Sequence, residues 1–386
     1  MQVFRSLPRI VLAASTLVLA VACSDVPTAV AGEPSDPSEA RKGTPAPTPT
    51  PTPPPSTGAP SFFNGAYLGD AESTPERIGD AIRAFGQMSG KQPALVKTFH
   101  PITCDFSTAG WCGKVLRAVA ATGSTNYVAL DLRWPAAPAG SLLAAIAGGA
   151  ADAEITRIGR QLATVPGTVL LEPGWEMNGN WSDYRWQGVA NGASTGGPAL
   201  YRQSWQRIVR IFREQGATNV RWVFNPNTGN PLTWQATGAS HWNWYGNYYP
   251  GDGYVDYVGM HGFNAPSVFG APWASFDTLF DGESADRMLS DIIARYPGKP
   301  VIIGEFGSEE GAGDAKAQWI RSAYARLRSH PAVVGAVWFN MNKETNWRVD
   351  SSGAALQAYR EVLADAGIKT AFQPAPAASA TRLASN

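Results

Sequence analysis

The sequence predicts an α/β fold, a (β/α)8 TIM barrel forming a single catalytic domain, and three observations carry that expectation. Eight short apolar segments, each mostly β-branched or aromatic, recur between about residues 65 and 340. Strands buried on both faces have this composition, because helices cover each side of a parallel sheet. Amphipathic segments lie between most of them, which is the alternation of a parallel α/β architecture. No strand runs into a GxGxxG turn, and this disfavours an open, doubly wound sheet as the alternative.

In chain order, strands are expected over 65–69, 94–99, 127–132, 168–173, 220–225, 256–261, 300–304 and 333–340. Helices are expected over 75–87, 151–163, 201–215, 285–296 and 315–329, with a last one over 354–366. Eight strands followed by helices close a barrel that has no exposed edge.

The flanks read differently. Residues 1–23 have the form of an export signal, with Arg5 and Arg9 ahead of an apolar stretch, Ile10 to Val21, too short to span a bilayer. Ala20-Val21-Ala22 is a small-residue cleavage site, and Cys23 follows it directly. The stretch resembles the lipobox of bacterial lipoproteins, which implies lipidation at Cys23; ordinary secretion, leaving Cys23 free, is the alternative. Residues 24–60 are a linker, and Thr44 to Ser56 is nearly pure Pro/Thr/Ala that favours extended polyproline II. At ~3.1 Å per residue it would hold the 61–366 domain up to on the order of 100 Å from an anchor. From residue 367 to 386 an Ala/Pro/Ser-rich tail is expected to be disordered.

Composition narrows the partners. Lys+Arg and Asp+Glu balance at 31 each, so no basic field points to nucleic acid, and a membrane is met only through a lipid anchor. The chain is expected to be a monomer. The 14 Trp, 12 Tyr and 15 Phe exceed what core filling needs, and sugar rings stack their C–H faces on indole. Cys104 and Cys112, eight residues apart in an exported chain, are expected to form a local disulfide. No HExxH, CxxC pair or EF-hand loop occurs, so neither a metal nor a cofactor is expected, and no GxSxG elbow suggests an esterase.

Two segments carry the chemistry: Trp175-Glu176-Met177-Asn178-Gly179 and Gly304-Glu305-Phe306-Gly307. Each places one glutamate where a buried strand gives way to a loop. Glu176 follows the fourth strand and Glu305 ends the seventh, so in a barrel both would converge on one cleft floor. Alone, Glu176 could equally be a surface residue at a helix start, and Glu305 the partner of a basic residue. Together they are the pair that glycosidic hydrolysis requires, one protonating the leaving oxygen while the other attacks the sugar carbon.

The stretch Leu170 to Trp181 resembles the acid/base segment of glycoside hydrolase family 26, the β-mannanase family of the retaining (β/α)8 clan. Arg221 to Asn227, Tyr249 to Gly259, Val301 to Gly307, Trp338-Phe339-Asn340 and Asn346-Trp347-Arg348 are similar to further family segments, in the same order. The resemblance spans about Gly65 to Ala366. It implies Glu176 as general acid/base, Glu305 as nucleophile, and a retaining endo-β-glycosidase acting first on β-1,4-mannan. Three departures bear on the sugar: Trp175 stands where the family usually has His, Glu172 where it commonly has Arg, and His261-Gly262-Phe263 where a Tyr often touches the nucleophile. His261 is expected to supply the missing hydrogen bond. The departures leave β-1,3-xylan, mixed-linkage β-glucan or a bacterial exopolysaccharide as alternative substrates. A non-catalytic glycan-binding lipoprotein is the alternative of another class.

Further contacts to a sugar chain are expected from Trp175, Asn178, Trp181 and Phe263 beside the two glutamates. His100 and His261, at the ends of strands two and six, would line the cleft or be satisfied structurally. Asn227, at the end of strand five, would hold sugar hydroxyls or tie down its loop, as would Asn340 after strand eight. Trp338 is expected as the floor beneath the sugar. The loop from Trp234 to Tyr249, with Trp242 and Trp244, reads as stacking platforms or as a satellite hydrophobic cluster.

Overall fold

The computed structural model describes residues 61–137, 142–179, 186–187, 197–228, 242–283 and 287–376. The export signal, Cys23, the linker to residue 60, Trp181, residues 229–241 of the aromatic loop and the last ten residues lie outside them.

Nine strands fill eight barrel positions: β1 (Phe62–Tyr67), β2 (Leu95–Pro101), β3 (Thr125–Asp131), β4 (Val169–Pro173), β5 (Val220–Phe224), β6 (Tyr257–Val258), β7 (His261–Asn264), β8 (Val301–Ser308) and β9 (Val333–Phe339). Neighbours pair in parallel, and β9 bonds to both β8 and β1, so the sheet closes on itself. The sixth position is shared, which corrects the expectation of one strand over 256–261. β6 pairs with β5 and β8, and β7 resumes beside β8 after a break at Gly259-Met260. There the backbone passes so close to β8 that a Cβ at residue 259 would overlap the Ile302 carbonyl.

The outer ring is α1 (Ile78–Ser89), α2 (Trp111–Ala121), α3 (Leu142–Ala147), α4 (Asp152–Leu162), α5 (Gly197–Glu214), α6 (Pro266–Phe269), α7 (Phe276–Asp281), α8 (Met288–Arg295), α9 (Ala315–Arg328) and α10 (Gly353–Leu363). Helix α2 is absent from the sequence expectation, where its glycine-bearing start reads as loop. Cys112, Val115, Leu116 and Val119 nonetheless recur at helical spacing and form its buried face. Helix α5 shows the same logic, with Tyr201, Trp205, Ile208 and Phe212 facing the barrel side. Among the described residues no helix is long and apolar enough to cross a membrane.

The interior of the barrel is layered, because alternate residues of a strand share a face. Phe63, Leu95, Tyr127, Leu170, Val223, Tyr257, Ile302 and Val337 form one cluster, with one residue from each barrel position. The tail expectation is corrected here. Residues 368–369 form β10 (Ile368–Lys369) and pair with β1, Phe372 packs edge-on against Phe63 at 4.8 Å, and the Ala375 N–H donates to the Tyr257 hydroxyl at 2.6 Å. Two apolar anchors, Ile368 and Phe372, outweigh the Ala/Pro-rich composition around them.

Candidate active site

Glu172 is the inward residue two positions above Leu170 on β4, and Glu176 follows the strand. Gly174 takes a left-handed φ of 58°, and Glu176 itself has φ 52°. A glutamate rarely adopts this conformation, so the surroundings must impose it. They do so through four contacts. The Glu176 N–H donates to the Asn225 carbonyl at 3.0 Å, and its own carbonyl accepts from Gly179 N at 2.9 Å and Gln187 Nε2 at 2.6 Å. Trp186 Nε1 ties the preceding carbonyl of Trp175 at 2.9 Å.

Glu305 lies on β8 directly beside His261 of β7 in the sheet register. One carboxylate oxygen each of Glu176 and Glu305 and a ring nitrogen of His261 all fall within 4.8 Å of one another. His261 Nδ1 is 3.1 Å from Glu176 Oε1 and 3.9 Å from Glu305 Oε1, while its Nε2 is 3.0 Å from Glu172 Oε1. Beneath them Lys97 Nζ stands 2.7 Å from both Glu172 Oε2 and Glu305 Oε1. Gly304 leaves room for this crowding: a Cβ there would lie 2.5 Å from His261 Nε2 and closer still to Asn225 Nδ2.

The electrostatics follow from burial and pairing. Burial and Lys97 both oppose a charge on His261, but Glu172 and Glu305 outweigh them and raise its pKa to about 9. Burial would likewise lower Lys97, yet the same two carboxylates raise it. Burial would raise Glu172, and Lys97 and His261 overcome that and lower it. Glu305 is the exception: burial, with added repulsion from Glu176 and Glu172, raises it despite Lys97 and His261.

Both Glu176 and Glu305 line a cleft of about 1000 Å³ at the C-terminal end of the strands, where such barrels carry their sites. Trp175, Asn227, His100 and Phe263 also line it. Trp175 packs edge-on against Phe99 and Trp186, at 5.0 and 4.9 Å. His100 is buried, its Nε2 3.0 Å from Thr98 Oγ1, and burial pushes its pKa down to about 3. Its Nδ1 is 3.0 Å from Sγ of Cys112, which is disulfide-bonded to Cys104.

Other candidates sit elsewhere. His261 is fully buried below the cleft surface and meets the carboxylates from underneath. Asn178 exchanges two hydrogen bonds with the Asn227 backbone, at 2.8 and 2.9 Å, and is a loop clasp rather than a cleft residue. Asn340 accepts from Val349 N at 2.8 Å and ties its own loop. Trp338 is not the floor: the alternation along β9 turns it outward onto Phe306, Trp319 and Tyr359, and Phe339 takes the inward place. Trp242 and Trp244 pack, partly buried, against the main hydrophobic core, with Arg295 over the Trp244 ring at 4.9 Å, and neither lines the cleft.

The cleft's aromatic wall comes instead from Phe263, Phe269, Trp273, Phe339 and Trp347. Phe269 and Trp273 are among the most exposed large apolar side chains of the described residues. Of this wall the sequence pointed to Phe263 alone as a sugar contact, and it gave no role to Lys97. The signal for Lys97 was present, since a lysine inside Ala94-Leu95-Val96-Lys97-Thr98-Phe99, a strand buried on both faces, demands a buried acid. Among the described residues two donor sets are compact enough for a cation, the Glu176–His261–Glu305 group and His100 with the two cysteines. Lys97 already fills the cationic place in the first, and the disulfide consumes both thiols of the second.

Comparison with known proteins agrees with this geometry. The model of glycosyl hydrolase family 26 matches residues 143–277. Endoglucanase H of Acetivibrio thermocellus is 38% identical over 303 residues, covering 78% of this chain and 30% of that protein. A mannan endo-1,4-beta-mannosidase of Bacillus subtilis is 27% identical over 172 residues, 39% of this chain and 44% of that one. The chain thus spans less than half the length of either relative. Two solved structures share the fold. One is the catalytic domain of an endo-beta-1,4-mannanase of Bacillus sp. JAMB-750, with TM-score 0.57, 18% identity, and coverage of 80% of this chain and 87% of that one. The other is a modular endo-beta-1,4-mannanase from Cellulomonas fimi, with TM-score 0.56, 17% identity, and coverage of 83% and 75%. Barrel, site and relatives together make the chain similar to glycoside hydrolases. Over residues 143–277 that likeness is to glycosyl hydrolase family 26 in particular.

Proposed function

We propose that the protein is an endo-acting, retaining β-glycosidase working by double displacement. The observation that carries this reading is the approach of the two cleft carboxylates, whose nearest oxygens lie within 4.8 Å. Retention needs carboxyl groups about 5–5.5 Å apart, and inversion about 6.5–9.5 Å to admit a water. Glu305 attacks the anomeric carbon as its bond to the leaving oxygen breaks, and Glu176 gives that oxygen its proton. A water then gives its proton to Glu176 and its oxygen to the anomeric carbon, which frees Glu305 as carboxylate. Endo action is supported by the likeness to an endoglucanase and to an endo-1,4-beta-mannosidase.

The substrate we favour is a β-glucan, with β-1,4-mannan as the second reading. Support for glucan comes from the 38% identity to Endoglucanase H over most of the chain. The three departures agree with it. Glucose and mannose differ in the direction of one hydroxyl, at the carbon next to the one attacked. Trp175, Phe263 and the Glu172–Lys97 pair all lie at or beneath the reacting carboxylates. Mannan is supported by the mannosidase relative. Reducing-sugar release from mixed-linkage β-glucan, β-1,4-glucan, β-1,4-mannan and β-1,3-xylan tests the order. Fastest release from a glucan is expected, and faster release from mannan would reverse it.

We also propose that the enzyme is exported and anchored through Cys23. The basic, apolar and small-residue succession of residues 1–23 supports this, as does the use of two cysteines in a disulfide. Labelled palmitate should enter the wild type and not Cys23→Ser; labelling of neither would leave a freely secreted enzyme.

A further inference from the structure

The floor under Glu305 contains charges where a barrel interior is ordinarily apolar. Lys97 is wholly buried on β2 and does not line the cleft, so it reaches the nucleophile from below. Its Nζ hydrogen-bonds Glu172 Oε2 at 2.7 Å and the Gly304 carbonyl at 3.4 Å, and stands 3.2 Å from His261 Nε2. Glu305 Oε1, 2.7 Å away, is ion-paired to the same ammonium. Lys97 therefore sets a positive charge directly against the Glu305 carboxylate. A compact ammonium suits this place among four polar partners better than a planar guanidinium would.

The charged and titratable groups facing Glu305 come from several elements. Lys97 comes from β2, the buried phenol of Tyr127 from β3, Glu172 from β4 and Glu176 from the turn after it. His261 comes from β7, and Lys343 acts from the loop after β9. In the inner group, two cations face three carboxylates, and one proton makes the set neutral. Double displacement needs that proton on Glu176 and not on Glu305.

We propose that Lys97 is a positioning residue that keeps Glu305 ionised for attack, and that Glu172 serves as the counter-charge holding Lys97 and His261 in place. This rests on the reading of Glu305 as nucleophile. When Glu305 becomes an ester its charge is lost, and the Lys97–Glu172 pair stays neutral by itself. When the ester is hydrolysed, Lys97 receives the departing carboxylate, so it assists both steps.

The test uses the full chain as wild type, Lys97→Met/Glu172→Gln and Lys97→Arg. The double variant removes both buried charges and avoids stranding Glu172 without a partner. The substrate is 2,4-dinitrophenyl β-cellobioside, or the mannobioside if mannan proves to be the glycan. Its leaving group needs no proton from Glu176, so the acidic limb of kcat/KM reports Glu305. That limb should move up by about one to three pH units in the double variant and return towards wild type in Lys97→Arg. A plateau that falls while the limb stays put would show a merely structural role and overturn the proposal. The corresponding 2-deoxy-2-fluoro glycoside, with adduct mapping by mass spectrometry, checks the underlying reading separately. An adduct on any residue but Glu305 would overturn that reading, and the proposal with it.

Discussion

Two successive layers of the same barrel interior differ completely. The lower one is hydrophobic all round, with the hydroxyls of Tyr127 and Tyr257 its polar atoms, and is closed from below by Phe372. Two residues further along the same strands, Leu95 gives way to Lys97, Leu170 to Glu172 and Val223 to Asn225. The strand pleat forces these pairs onto one face, so a step of two residues, about 7 Å, separates packing from chemistry. The lower layer gains by excluding water. The upper layer bears the cost of buried charge, recovers part of it by mutual pairing, and retains a set of groups that can exchange a proton.

That contrast is broken most sharply from above. Glu305→Ala should lower kcat on the order of 10⁴-fold or more, and Glu176→Ala about 10²–10⁴-fold, both with thermal midpoints near wild type. Azide should rescue Glu176→Ala as a glycosyl azide of retained configuration. A variant that loses stability and not turnover would refute the assignment of the upper layer.

From below the outcome should invert. Leu170→Ala, which removes a fully buried side chain, should cost about 2–5 kcal/mol in denaturant unfolding. Its kcat/KM per folded molecule should stay unchanged. A changed pH profile in this variant would mean that the layers are not independent.

The upper layer also makes stability depend on pH. His261 has its folded pKa raised from 6.5 to about 9, so its contribution is complete below about 6.5 and lost as pH climbs through about 9. The amount is on the order of 3 kcal/mol. Denaturant unfolding from pH 6 to 10 should show the decline in wild type and a flatter profile in His261→Asn. The smallest effect belongs to the plug: Phe372→Ala should cost about 1–2 kcal/mol, because its ring is only half-buried. No measurable change would return the segment after residue 367 to the disordered tail its composition suggests.

The barrel was legible in the sequence because its strands are apolar on both faces and recur with the helices between them. The two glutamates were legible because each follows an apolar run in a glycine-bearing segment, although β8 continues past Glu305 to Ser308. Lys97 was harder, since its partners Glu172 and Glu305 come from strands distant in sequence and only closure of the barrel joins them. Trp338 shows the limit most clearly. An aromatic at a strand end reads as a sugar platform, but one residue of register decides whether it faces the cleft or the helices. The wall that does face the cleft, Phe269 and Trp273, lies on a connection whose short helices have no strong periodicity.

The most direct test of double displacement at Glu176 and Glu305 is the anomer released first. Proton NMR during the opening minutes of hydrolysis of a soluble β-glucan, or of mannan if that is the substrate, resolves it before mutarotation. The β-anomer should appear first and the α-anomer only by later equilibration. Initial release of the α-anomer would mean inversion, and would contradict the nucleophilic role of Glu305.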